Sequence, residues 1–323
     1  MMQLNIDAFH RLAASLALLT VLLSTGCATL DFSYPRSESV AVDPADTRQT
    51  RLGQRVAKLA AGKPPGQSGF YILPDPVDAF AARLLLARRA ERTIDVQYYL
   101  IKADVAGLSF VRELILAADR GVRVRVLVDD MFTSGLDLGW AAVDHHPNIE
   151  VRIFNPFAHR SGRFRDGLIN FSRINRRMHN KSFTVDNQVT IVGGRNIAGE
   201  YFGAREDSHF SDLDVVGIGP VVGEISASFD AYWNHERALP VPAFASMPDD
   251  LDAALANVRS RLDESIAKTF AAPNHSVYGE AVRRRAMKFL AVKDEMFTWA
   301  PYEVAVDSPD KSFKDRAESA ASI

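Results

Sequence analysis

The run His179–Asp186 reads H-N-K-S-F-T-V-D, and Gly193-Gly194-Arg195-Asn196 follows seven residues later. The segment sits between short apolar runs and predicts two strands separated by a turn. Side chains alternate along a strand, so His179, Lys181 and Phe183 are expected on one face. An imidazole and an ammonium would then lie side by side, as a nucleophile and a charge clamp for a phosphoryl group require. Asp186 falls at the strand end, with Asn187 starting a turn. The second strand, Thr190-Ile191-Val192, runs into two glycines, which are expected to let the backbone approach a bound anion.

The motif lies inside a longer alternation of helical and extended patterns. Asp78 is expected to cap a helix running to about Arg92, and Thr93 to Leu100 is β-rich. Asp104 opens a helix whose face carries Leu108, Val111, Ile115 and Ala118, and Gly121 ends it. Val122 to Val128, closed by Asp129-Asp130, is a strand, and so is Ile149 to Phe154. Beyond the motif, Asp212 to Ile218 is extended, and Val222, Ile225, Phe229, Tyr232 and Trp233 mark a helix face. Strands alternating with helices predict an α/β layered fold. Leu251, Leu255, Val258, Leu262, Ile266 and Phe270 then describe one amphipathic helix, and a basic helix covers about Val277 to Val292. Trp299 to Val306 reads as the start of a further strand.

Three stretches resemble the phospholipase D superfamily: R-G-V-R-V-R-V-L-V-D-D, the H-x-K-x4-D run, and G-G-R-N-I-x-x-x-Y-F. The last resembles the cardiolipin-synthase-like bacterial branch, and the resemblance covers about Phe70 to Arg237. It implies an α/β phospholipase D-like lobe, a mixed β-sheet layered between helices, followed by a helical linker and the start of a truncated second lobe. The expected division is an N-terminal extension at 28–69, the lobe at 70–245, and the linker with the incomplete second lobe at 246–323. By the same resemblance His179 forms a phosphohistidine, Lys181 and Asn196 hold the non-bridging oxygens, and Asp186 supports the site. Gly193, Gly194, Arg176 and Arg177 complete the expected substrate-binding set. No cofactor is implied. The family builds one site from two H-x-K motifs, and His209, His235 and His275 supply no second one. A homodimer or a missing second lobe is therefore the expected source of the general acid.

The function so implied is phospholipid phosphodiester cleavage or phosphatidyl transfer. Its alternatives are a periplasmic single-motif homodimeric endonuclease and a non-catalytic phosphate-binding remnant. Charge is nearly balanced, 38 Lys+Arg against 40 Asp+Glu, without the global basic field of a dedicated nucleic-acid binder. Basic charge is local instead: Arg160, Arg163, Arg165, Arg173, Arg176 and Arg177 approach His179, interleaved with Phe157, Phe164 and Phe171. Such a mixture suits anionic lipid headgroups or a polynucleotide backbone, and equally a solvated loop. Asp129-Asp130 and Asp212-x-Asp214 lack the His or Glu that would complete a metal set, so no metal is expected. A role for Asp214 in orienting His179 is the alternative reading of that pair.

At the N-terminus, Arg11 precedes the apolar run Leu12 to Leu23, shorter than the ~20 residues of a membrane span and suited to an export signal. Ser24-Thr25-Gly26-Cys27 resembles a bacterial lipobox, which implies that 1–27 is a lipoprotein-type signal and that Cys27 is acylated. Cys27 is the only cysteine, so no intramolecular disulfide can form. Ala28, rather than Asp, resembles the pattern sorted to the outer membrane. The expected location is thus the cell envelope, on a membrane and facing the periplasm.

Overall fold

The structure is a computed structural model and describes residues 30–160, 177–204, 212–271, 273–290 and 294–312. A single nine-stranded mixed sheet organises it. Its strands are β1 (Ser68–Leu73), β2 (Thr93–Tyr98), β3 (Arg123–Asp129), β4 (Ile149–Phe154), β5 (Ser182–Val185), β6 (Val189–Gly193), β7 (Asp214–Ile218), β8 (Ala238–Pro240) and β9 (Thr298–Ala300). Their order is β8-β4-β3-β2-β5-β6-β7-β1-β9. The β2, β3 and β4 strands are parallel; every other neighbouring pair is antiparallel. The helices are α1 (Arg51–Ala60), α2 (Pro76–Arg89), α3 (Val105–Asp119), α4 (Asp137–Asp144), α5 (Val221–Trp233), α6 (Leu251–Ala271) and α7 (Pro273–Leu290). Among the described residues no helix is long and apolar enough to cross a membrane.

Local chemistry explains most of these boundaries. Asp104 caps α3 by accepting from the amides of Ala106 and Gly107, both at 3.1 Å. Asp75, not Asp78, caps α2, accepting from Asp78 N at 2.9 Å, because Pro76 at the first helical position fixes the entry. Asp78 instead binds Arg285 of α7 at 2.9 Å.

The sheet buries both faces. One carries Val96, Val126, Phe183, Ile191 and Val216 against α2, α3 and α4 in the larger core. The other carries Leu127 and Phe154 against Phe229, Tyr232 and Trp233, a cluster centred on α5. Polar strand residues also enter the interior. Arg125, 1% exposed, donates to Asp95 at 2.7 and 2.9 Å and pairs with Asp230 of α5 at 2.8 Å.

Two expectations about the chain's organisation change. The N-terminal extension at 28–69 is part of the packed lobe, because its described part binds the sheet and α5. Ala41 N donates to Asp230 at 2.9 Å, Arg125 donates to Ser39 O at 2.9 Å, and Gln188 donates to Pro44 O at 2.7 Å. The segment near Trp299 is an edge strand of this same sheet, since β9 pairs antiparallel with β1. The helices of 246–290 lie on the lobe as well: Arg259 of α6 grips Asp119 at 2.8 Å, and Tyr278 of α7 stacks near Phe80.

Asp95→Ala removes the bidentate partner of buried Arg125 but leaves it Asp230 and Ser39, so it should cost about 1–3 kcal/mol in urea unfolding. The exposed Arg51–Glu91 pair predicts less than about 1 kcal/mol for Arg51→Ala.

Candidate active site

The H-x-K segment precedes β5 rather than lying within it, and its position is set from outside. Asp129, at the end of β3, accepts from Met178 N at 2.9 Å, one residue before His179. The same carboxylate accepts from Met131 N at 2.9 Å and pairs with Arg177 at 3.3 Å. Burial pushes the Asp129 carboxyl up to about 7 against these donors. Its neighbour Asp130 accepts from Phe157 N at 2.6 Å and pairs with Arg160. The two carboxylates hold the chain on either side of the approach to His179.

His179 and Lys181 do lie side by side. Lys181 Nζ stands 3.2 Å from His179 Nδ1 and donates to His179 O at 2.7 Å. Tyr99, just past β2, sets its ring 4.8 Å from the imidazole and 5.7 Å from the ammonium. Phe183, two residues further on, is fully buried against Phe110 of α3. Burial lowers the His179 pKa, the Lys181 charge lowers it further, and Asp212 acts in the opposite direction. Burial also brings Lys181 down to about 8, with Asp212 opposing.

Asp212 is the site carboxylate that the sequence reading missed, and Asp214 is occupied elsewhere. Asp214 is fully buried and pairs with Arg83 at 2.9 Å and Arg195 at 3.3 Å. Arg83 also donates to Tyr98 OH at 2.9 Å, and Arg195 to the carbonyls of Leu73 and Pro74 at 3.0 and 2.7 Å. The glycine pair lies directly against these acids. A Cβ on Gly194 would collide with the Asp212 carboxylate, and one on Gly193 with Asp214 and the Leu213 carbonyl. The signal was the spacing itself, G-G with D-L-D on the paired strand, but only the β6–β7 register places them together.

Asn196 follows on this loop, which is tied to the end of β2: Ile197 N donates to Leu100 O at 3.0 Å, and Lys102 N to Ile197 O at 2.9 Å. Its Nδ2 donates to Tyr201 OH at 3.1 Å, while its Oδ1 is buried without a hydrogen-bond partner among the described residues.

Two expected site residues stand differently. Asp186 lies seven residues beyond His179, at the opposite end of β5, and does not meet the imidazole. Its carboxylate accepts from the amides of Arg92 and Thr93 at 2.8 and 3.0 Å and from Glu91 N at 3.2 Å. With Asn187 it has positive φ, 52° and 47°, the conformation of a two-residue hairpin turn that Asp and Asn tolerate. It shapes the fold that carries the site. Arg177 is engaged with Asp129, the Asn155 carbonyl at 3.1 Å and the Phe157 ring. Arg176, Arg163, Arg165, Arg173 and Cys27 lie outside the described residues.

Residues 85–233 match the family model described as cardiolipin synthase, PLD-like domain. Over these residues the chain thus resembles a phospholipase D-like domain of the cardiolipin synthase family. Over 199 residues the chain is 50% identical to cardiolipin synthase C of Escherichia coli K12, covering 62% of this chain and 42% of that protein. It is 30% identical over 168 residues to the cardiolipin synthase of Oceanobacillus iheyensis, covering 52% of this chain and 33% of that protein. Among solved structures, phosphatidylserine synthase of Haemophilus influenzae superposes with a TM-score of 0.43 at 13% identity, over 66% of this chain and 48% of that one. The chain thus spans less than half the length of each of these three relatives.

The geometry separates Asp212 from Asp186 by experiment. Asp212→Asn removes the charge that opposes the fall in the His179 pKa, so an NMR titration of the imidazole should show a still lower pKa. Asp186→Ala strands buried amides at about 1–3 kcal/mol each, lowering the urea midpoint without moving the His179 titration.

Proposed function

We propose that this domain carries out phosphatidyl transfer or phosphodiester cleavage on phospholipids through a phosphohistidine at His179. The observation that carries the reading is the 3.2 Å contact between Lys181 and His179, in a domain that resembles this family. Lys181, partly desolvated, is a charge clamp for the non-bridging oxygens of a phosphodiester. As these oxygens draw the ammonium off His179 Nδ1, that nitrogen takes the ring proton and the lone pair falls on Nε2. Nε2 attacks phosphorus, an Nε2–P bond forms, and the bond to the leaving alcohol breaks. Asp212 stabilises the imidazolium character that develops, and Asn196 helps hold the non-bridging oxygens. Water or a second alcohol then takes the phosphatidyl group and regenerates His179.

The departing alkoxide needs a proton, and a group outside this lobe supplies it: the second lobe of a longer chain or His179 of a second copy. Without that acid the rate falls by about 10²–10⁴. The nuclease alternative has less behind it, since the family model that spans the H-x-K run is described as cardiolipin synthase and two of the sequence relatives are cardiolipin synthases. On the lipobox-like 24–27 sequence we place the domain on an envelope membrane facing the periplasm, anchored through acylated Cys27.

The reaction needs neutral His179 and charged Lys181, which fixes the sign of its pH dependence. In the complete assembly, headgroup release from phosphatidylglycerol vesicles should rise as pH passes upward through the lowered His179 pKa. It should fall again as Lys181 loses its proton above about 8. His179→Ala and Lys181→Ala should each reduce turnover by at least about 10²-fold. Turnover that survives His179→Ala, or a profile flat to pH 10, refutes the mechanism. Cys27→Ala should release the protein from the membrane fraction or stop its processing; unchanged fractionation, with no lipid mass on the N-terminal peptide, refutes the anchor.

A further inference from the structure

The second face of the sheet is not wholly covered by α5. Beside that helix lies a groove of about 580 Å³, within the range of small-molecule sites. Its floor comes from the site-side ends of five strands: Ile72 of β1, Gln97 of β2, Ser182 of β5, Val192 of β6 and Val215 of β7. Val221, Ile225 and Ser228 of α5 form one wall. The other wall is the extended segment Tyr302–Val306 that follows β9.

That segment is fastened at both ends and spans the groove between them. Tyr302 donates to Glu224 of α5 at 2.7 Å and sets its ring 6.0 Å from Phe70. At the other end Tyr232 OH donates to Asp307 O at 3.1 Å. Apolar residues line most of the groove, several of them half-exposed, and Ile72 is 55% exposed. The charged lining residues are Glu303 and Lys181. Lys181 and Gly193 belong both to the groove and to the site, so its mouth opens beside His179. A cation at one end of an apolar trough suits one ligand shape, an anionic head followed by a hydrocarbon tail.

We propose that this groove holds an acyl chain of the phospholipid whose phosphate is held at His179 and Lys181. The proposal rests on reading that pair as the phosphoryl site. It makes Val215, Ile225 and the Tyr302–Val306 segment determinants of acyl-chain selection. Alternative occupants, such as a second copy of the chain, would be apolar without needing Lys181 at the mouth.

The test uses the purified full chain and phosphatidylglycerol with a photoactivatable diazirine in one acyl chain. Cross-links should map to residues 215–228 and 302–306. Ile225→Trp, which fills the groove, should cut that labelling by at least about tenfold, as loss of an apolar subsite does. Ser228→Phe, at the rim, should act in the same direction, and circular dichroism checks that both variants fold. Glycerophosphoglycerol, the headgroup without chains, should bind wild type and Ile225→Trp equally and be lost in Lys181→Ala. Cross-links outside the groove, labelling indifferent to both variants, or a sedimenting dimer that excludes label from 302–306 would overturn the acyl assignment. Failure of glycerophosphoglycerol to bind the wild type would instead overturn the phosphoryl reading, whatever the cross-links show.

Discussion

A buried carboxylate shared by two buried arginines holds the site edge of this sheet together. Asp214 pairs with Arg83 and Arg195, and no member is more than 2% exposed. Charges taken from water must be matched, and each arginine also donates to a different element. Arg83 brings α2 and Tyr98 of β2; Arg195 brings the β6 loop to the carbonyls after β1. The network therefore sets the ends of β1, β2, β6 and β7 in one plane. The Gly194 backbone lies against Asp212, and Asn196 follows from the same placement.

The chemistry beside that edge depends on partial burial. A lysine in open water would be a poor neighbour for a nucleophilic imidazole, because it would stay fully charged and well hydrated. Here burial reduces the cost of withdrawing the Lys181 ammonium toward an anion and lowers the His179 pKa in step. Asp212 moderates both shifts. The pair is thereby adjusted to present a neutral ring and a charged clamp over the same narrow range of pH.

The motif strands, the capping role of Asp104 and the extent of β4 were legible because each depends on a local pattern: periodicity, a cap, or a short apolar run. The closeness of His179 and Lys181 was legible from their spacing, but it does not come from strand alternation, because β5 starts only at Ser182 and Asp129 holds the segment before it. The role of Asp186 was not. As one letter of a motif it reads as a member of the site, yet its partners are the amides of residues 91–93, more than ninety positions earlier in the chain. Arg177 shows the same limit: its charge was visible, but the carboxylate of Asp129 that engages it lies 48 positions away.

By itself the sequence determined the α/β alternation, the strand-turn-strand around the H-x-K run, and the residue types from which a phosphoryl site can be built. These follow from side-chain periodicity and backbone preference, which act over a few residues. Only the tertiary structure decided which of two acids faces the imidazole, and why two glycines must precede Asn196. It also placed residues 39–47 across the second face and Thr298–Ala300 on the sheet edge. Those outcomes turn on long-range register and on the need to satisfy every buried charge and amide. The partners lie in strands far apart in the chain, so no local pattern encodes them.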